Sequence, residues 1–297
     1  MKKVFIFPFF CSLLCLSQNT KKHTLLDSIT KEAIPFATIQ YINENNGTYS
    51  DENGAFYIDK GSIDSIQISS ISYKTTKFAV SKLTDSIYLV PKIEELNEVV
   101  LNSNVDEKEI GLHKKASDFS WYIEPSREFI TSLKINEKYH DAHLIKIHFP
   151  IKKVQGVKLK DLKAIVRTNI YSSNTNQIVK DRIFSSKPVY CDVNSSGTIS
   201  FDVTDELIEI NSDSLFIGIE LLGFVDEQGK IQADTKGSLR IPFTKKKTKD
   251  FSSKSYMKLI FSEKVEWQPL NDIIKKYVGL KKDYYLPVGL TLALYED

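Results

Sequence analysis

The sequence predicts an all-β protein built from two consecutive β-sandwiches, the second of jelly-roll type with one short helix. Three observations carry this. Apolar residues recur with period two in many short bursts, glycine-bearing or polar turns separate those bursts, and only one segment has helical spacing. At 297 residues with 41% hydrophobic content the chain exceeds a typical single domain and can bury two ordinary cores.

In chain order, the first element is the leading MKKVFIFPFFCSLLCLSQ. Lys2 and Lys3 precede an apolar run from Val4 to Leu16, the order of a secretory signal, and the run is too short to span a bilayer. Cys15 and Ser17 are small residues at minus three and minus one of a cut before Gln18, so residues 1–17 are expected to leave. Lipidation of Cys15 would want a small residue directly before it, where Leu13 and Leu14 stand; release after cleavage is the first reading. The expected location is periplasmic, outer-membrane-associated or secreted. Cys191 is then the one cysteine of the mature chain, which forbids an internal disulfide. Its strand-like setting, PVYCDV, suits a small buried residue better than a nucleophile.

The first sandwich is expected over residues 18–101. Its strands are read in PFATIQYI, GAFYI, SIQISSISY and SIYLV. In the first, Ala37, Ile39 and Tyr41 face one side and Phe36, Thr38, Gln40 and Ile42 the other, a double burial that suits a central strand. SDENG, Ser50 to Gly54, supplies a tight reversal. Asp51 and Asn53 can fold back on nearby backbone groups, and Gly54 accepts positive φ. A calcium loop would need six to eight oxygens in regular succession, which Asp51, Glu52 and Asp59 do not provide.

Four blocks in this region, Ala33–Ile39, Tyr49–Phe56, Ile71–Lys74 and Glu95–Val100, resemble the carboxypeptidase regulatory-like domain family in order and spacing. The resemblance implies a seven-stranded, transthyretin-like sandwich acting as an accessory module that does not itself cleave peptides. Two departures concern strand edges: KHTLLDSI lacks the family's first-strand glycine, and Ser72 replaces the glycine favoured before Tyr73. In the resembling outer-membrane receptors such a module leads into a plug and a barrel. The chain beyond Leu101 is too short for about 22 strands of roughly ten residues each, so no transmembrane barrel is expected.

Residues 102–109, NSNVDEKE, read as a polar linker. The second sandwich is expected over 110–297, in HLIKIHF, AIVRTNIY, TISFDV, SLFIGIELL, SYMKLIF and LTLAL. Ile199, Phe201 and Val203 share a face, as do Leu215, Ile217, Ile219 and Leu221. In PLNDIIKKYVGL the spacing of Leu270, Ile273, Ile274, Tyr277 and Val278 predicts a helix capped by Asn271 or Asp272 and stopped by Gly279. Val166–Tyr171 and Phe216–Leu221 resemble jelly-roll domains of unassigned role, from which no activity can be carried over.

The charge balance, 40 Lys plus Arg against 38 Asp plus Glu, gives no whole-molecule attraction for nucleic acid or anionic membrane. The basic run Lys245–Lys249 reads as a solvated hairpin loop, and Ser195–Gly197 as a hairpin turn. No GxSxG, GxGxxG or GxxxxGK[ST] occurs, so no catalytic nucleophile elbow, nucleotide loop or cofactor is expected. Glycosidase carboxylates leave no trace in sequence spacing. His140, His143 and His148 form the one histidine cluster; on a strand His140 and His148 share a parity that His143 does not, and they are weak metal candidates. Trp121, Tyr122, Trp267, Tyr284 and Tyr285 are the candidates for stacking on a sugar or contacting a peptide.

Together these point to an exported, non-enzymatic cell-envelope protein, a regulatory-like module joined to a sandwich that binds a glycan or protein, with no nucleic-acid partner. Two alternatives stay open: a hydrolase with an unrecognised carboxylate or histidine metal site, and a purely structural module that assembles by strand addition at a sandwich edge.

Overall fold

A computed structural model describes residues 20–59, 63–92, 105–111, 119–153, 162–171, 182–210, 215–226, 231, 238–245, 248–262 and 267–295. The expected signal segment 1–17 and the Glu95–Val100 block lie outside them. The described chain is almost entirely β-strand, arranged as sandwiches, with a single α-helix.

The first sandwich has seven strands: β1 (Thr20–Asp27), β2 (Thr38–Tyr41), β3 (Asn46–Tyr49), β4 (Ala55–Asp59), β5 (Ser65–Ser69), β6 (Thr76–Ala79) and β7 (Ser86–Leu89). One sheet has the order β4-β1-β7, the other β3-β2-β5-β6. β1 pairs antiparallel with β4 and parallel with β7. Leu25, Ile39, Phe56, Ile58, Ile66, Ile68 and Leu89 interdigitate between the sheets. The SDENG corner forms as its residues demand. Asp51 Oδ1 accepts from the Asn53 and Ala55 amides at 2.9 and 2.8 Å, and Gly54 sits at φ +72°. β2 is central in its sheet, as its doubly buried pattern implies.

The second sandwich comprises β8 (Val105–Gly111), β9 (Phe119–Ile123), β10 (Arg127–Ile135), β11 (His143–Ile151), β12 (Lys163–Tyr171), β13 (Arg182–Ser185), β14 (Val189–Asp192), β15 (Gly197–Asp202), β16 (Leu215–Val225), β17 (Leu239–Phe243), β18 (Phe251–Leu259), the two-residue β19 (Gln268–Pro269), helix α1 (Leu270–Val278) and β20 (Gly289–Tyr295). A large sheet runs β13-β12-β16-β10-β18-β19, with β14 also on β12; it faces the sheet β15-β11-β20-β8, and β17 and β9 form a separate ribbon. The inward-facing residues predicted on β15 and β16 are buried in the shared core, with Phe129, Phe149 and Leu290.

Four local expectations need correction. Residues 105–109 are not linker but most of edge strand β8, which pairs with β20 along its length. Polarity misled because an edge strand exposed on both faces over this stretch carries Asp106, Glu107, Lys108 and Glu109 without penalty. Lys245–Lys249, of which 246–247 lie outside the described residues, joins β17 to β18, strands of different sheets, so it is a crossover and not a hairpin. The same holds for Ser195–Gly197, between β14 and β15. The helix is present and stops at Gly279 in the left-handed region, but Pro269 occupies its N-cap; Asn271 instead accepts from the Tyr284 amide at 2.8 Å. Leu270, Ile273 and Ile274 are buried, whereas Tyr277 and Val278 are exposed.

β12 and β16 are buried on both faces over nearly their whole length, although only one face meets the opposing sheet. On the other face, Phe36, Thr38 and Tyr49 of the first sandwich reach Arg167, Glu220, Ile165 and Leu222, while Tyr171 and Phe216 pack with Ile130 and Trp267.

Candidate functional site

The surface between the two sandwiches is the most chemically distinctive part of the molecule. Its geometry comes from register. Arg167 on β12 lies opposite Glu220 on β16, Glu220 opposite Glu128 on β10, and Glu128 opposite Lys258 on β18. A row of alternating outward residues thus reads cation, carboxylate, carboxylate, cation across four neighbouring strands. Both carboxylates are 1% exposed.

Two adjacent buried carboxylates survive only with donors on every side. Arg167 donates to Glu220 in the bidentate mode at 2.7 and 2.9 Å. Asn169 Nδ2 lies between the pair, 2.8 Å from an oxygen of each. The Tyr171 hydroxyl donates to Glu128 at 2.5 Å, and Lys258 Nζ stands 3.5 Å from the same carboxylate. Gly218 makes this possible: a Cβ there would collide with the Glu128 carboxylate. Burial by itself would raise the Glu220 carboxyl. The Arg167 charge and hydrogen bonds, with Arg182 and Asn169, outweigh it and hold Glu220 at about 2.

The first sandwich completes the set. The Tyr49 hydroxyl donates to Glu220 at 2.7 Å, and Arg167 donates to the Phe36 carbonyl at 2.9 Å and the Thr38 hydroxyl at 3.2 Å. Phe36 is held at φ +52°, a left-handed conformation unfavourable for a bulky residue. Around the polar centre, Tyr49 packs with Ile165, Leu222, Val225 and Phe261, and Gln40 donates to the Phe261 carbonyl at 3.2 Å. This arrangement clamps the modules together, with both carboxylates and Arg167 hydrogen-bonded within it.

On the far side of β18 lies an open groove of about 960 Å³, lined by Lys254, Tyr256, Asp283, Tyr285 and Leu286 among others. The outer face of the four-stranded sheet holds a second, polar hollow of about 440 Å³ with His148, Ser200, Thr291 and Lys146.

The residues singled out from sequence are scattered over the fold. Of the five aromatics, Tyr285 lines the groove and Tyr122 is exposed on the β9–β17 ribbon, with Trp121 turned to the core. Tyr284 is buried against Phe119, with ring centroids 5.1 Å apart, and is no ligand platform. Trp267 stands edge-on to Tyr171 beneath Lys258, at the margin of the carboxylate row. The five rings do not form one surface.

The histidines do not converge either. His140 sits in a turn before β11, and His143 and His148 are five residues apart on that strand, about 16 Å along it. Both His148 nitrogens are engaged, with Ser200 Oγ at 2.8 Å and Thr291 Oγ1 at 2.9 Å. No group of three metal-binding side chains comes together among the described residues. Cys191 is half-buried on β14, packed against the core; burial and the neighbouring Asp192 push its thiol up to about 12, away from nucleophilic use.

Sequence reasoning missed Arg167, Glu220, Glu128 and Tyr49. The signal available was the unbroken apolar run LFIGIELLGFV interrupted by one glutamate, since a strand buried on both faces with a charge in it must bury that charge too.

Residues 24–101 match the family model of the CarboxypepD_reg-like domain, about a quarter of the chain and the region where the four sequence blocks lie. No curated protein sequence matches the chain. Among solved structures, those of the infectious bursal disease virus Gt and Gx strains align at 12% and 11% identity, with TM-scores of 0.23 and 0.20. They cover 94% and 92% of this chain, and this chain spans only 60% and 59% of theirs. No helix of the described residues is long and apolar enough to cross a membrane.

Proposed function

We propose that this is an exported, non-enzymatic cell-envelope protein in which the regulatory-like sandwich acts as a fixed buttress for a second sandwich that binds a glycan or protein ligand. The observation that carries the reading is the clamp at Arg167 and Glu220. It joins the accessory module to the partner domain through a desolvated surface, and so spends the outer face of the large sheet on architecture. Binding is left to the open groove beside β18, where Tyr256 and Tyr285 supply rings and Ser252, Lys254 and Asp283 supply polar groups. Export rests on the Lys2–Lys3 charge followed by the apolar run to Leu16. The family match at residues 24–101 supports a module of a non-catalytic kind.

The test is a screen of residues 18–297 against a glycan array and an envelope extract, beside a Tyr256→Ala/Tyr285→Ala variant. Retention of a ligand by the parent and its loss in the still-folded variant is the expected result. No retained ligand, or equal retention by both, overturns the assignment of binding to the groove. Amino-terminal sequencing of protein recovered from the envelope checks export, with Gln18 as the expected first residue.

A further inference from the structure

The groove is bordered by a strand edge that, among the described residues, is paired over only two positions. β18 is bonded to β10 along one side from Phe251 to Leu259, whereas on its other side β19 covers only Tyr256 and Met257. Parity identifies the backbone groups that are left. The Asn136 amide donates to the Asp250 carbonyl, the Ile260 amide to the Ser126 carbonyl, and the Thr131 hydroxyl reaches the Lys254 carbonyl, so even-numbered residues of β18 point toward β10. The odd-numbered Phe251, Ser253 and Ser255 therefore direct their N–H and C=O into the groove. Among the described residues none of these backbone groups has a partner.

We propose that an extended peptide adds to this edge as a further strand, with acidic side chains alternating with apolar ones; this rests on reading the protein as a binding module and names its ligand class. Backbone donors and acceptors at a two-residue repeat recognise an extended chain and nothing else of comparable simplicity. Side chains of the added strand alternate between two environments. On the outer side they meet Ser252 and Lys254 directly, with Lys134 diagonal to them, all exposed. Carboxylates suit that side. Glu137 is the opposing exposed acid in the groove, while Asp283 is already paired with Lys275 at 2.9 Å and Asp250 accepts from Thr248, Gly111 and Tyr139. On the inner side they meet the half-exposed ring of Tyr285, which suits an apolar residue; Leu286, Pro287 and Val288 behind it are already buried. Pro269, at the start of α1, has no N–H to continue the ladder and marks where the added strand stops.

The probe is a fluorescein-labelled octapeptide of alternating Val and Glu, followed by anisotropy with residues 18–297. Saturable binding is expected. Ser253→Pro removes an edge donor and places its ring in the partner's position while leaving the β10 ladder intact; it is expected to weaken binding about tenfold or more without changing the circular dichroism or thermal midpoint. Two methylated peptides make the test independent of any variant. N-methylation of all Val amides or of all Glu amides must differ, because only one set faces the edge. Lys254→Glu should weaken the Val/Glu peptide and favour its Val/Lys counterpart. No binding of the parent peptide, equal sensitivity to both methylation sets, or full binding by a folded Ser253→Pro protein overturns strand addition. If the glycan array still retains the protein in that case, the binding function stands and only the peptide ligand falls; if nothing is retained, both fall.

Discussion

Arg167 and Glu220 face each other in register on adjacent strands and are joined by two hydrogen bonds of 2.7 and 2.9 Å, with side chains 6% and 1% exposed. Two of the guanidinium's three other N–H groups leave its own sandwich altogether, ending on the Phe36 carbonyl and the Thr38 hydroxyl. One side chain thus satisfies a buried carboxylate in one module and two backbone-fixed acceptors in the other, so neither sandwich can separate without stranding charge.

Removing that cation alone should be severe. Arg167→Met leaves Glu220 and Glu128 side by side with only Lys258 and the more distant Arg182, 4.0 Å from Glu220, as cations, and unpairs the Phe36 carbonyl and the Thr38 hydroxyl. Loss of one partner of a buried pair costs about 3–5 kcal/mol, and urea denaturation is expected to show a loss of that size. The double variant Arg167→Met/Glu220→Leu removes both charges and keeps Asn169, Tyr171 and Lys258 around Glu128, so most of the loss should return. A double variant as unstable as the single one would show that the pair's charge is not what Arg167 supplies.

The strand bursts, the turn at Asp51 and the inward faces of β15 and β16 were legible because each is a local pattern: alternation needs only a few consecutive residues. The clamp was not. Tyr49 and Glu220 are 171 positions apart and Arg167 and Glu220 are 53 apart, and neither has a neighbour in sequence that hints at its partner. Edge strand β8 failed in the opposite way, the apolar Ile110 being too little signal to mark the charged residues 106–109 before it as a strand. The aromatic candidates could not be sorted because ring content does not distinguish Tyr284, buried at 4% exposure, from the half-exposed Tyr285 beside it.

Gly218→Ala tests the room left for the second carboxylate. The added methyl meets Glu128 and the Ile130 side chain, both held in place by the surrounding network. A loss of about 2 kcal/mol is expected, as for overpacking of a fixed core. Gly197→Ala is the matched control, since a Cβ at Gly197 meets nothing within 4 Å. It should change stability by less than about 0.5 kcal/mol. Equal effects would argue that glycine content, not the Glu128 carboxylate, sets the outcome.

The acid limb of stability has a defined sign. Glu220 is held at about 2 in the folded state against about 4.3 for an unfolded glutamate. Asp27 is lowered too, first by the Ile29 amide and then by the Thr30 amide. A depressed carboxylate contributes stability above its unfolded pKa and loses it as the pH falls through the folded value. The urea midpoint should therefore hold steady from pH 7 to about 5 and drop between about 4 and 2. In Arg167→Met/Glu220→Leu the drop should be shallower, and an unchanged slope would remove Glu220 from the explanation.

Cys191 offers a probe of the second sandwich that needs no substitution. Its thiol is pushed up to about 12 by burial and then by Asp192, so at pH 8 the thiolate fraction is smaller than that of a free cysteine by about three orders of magnitude. Since only the thiolate attacks, iodoacetamide should label the native protein about a thousandfold more slowly than the urea-unfolded chain. Mass spectrometry of timed samples reads both rates. Arg167→Met, which weakens the clamp on β12 and β16, should speed native labelling in proportion to its lost stability, because β14 pairs with β12 and cannot open alone without breaking that ladder. Rapid labelling of the intact parent protein would mean that β14 leaves the sheet independently, and would detach the reactivity of Cys191 from the clamp.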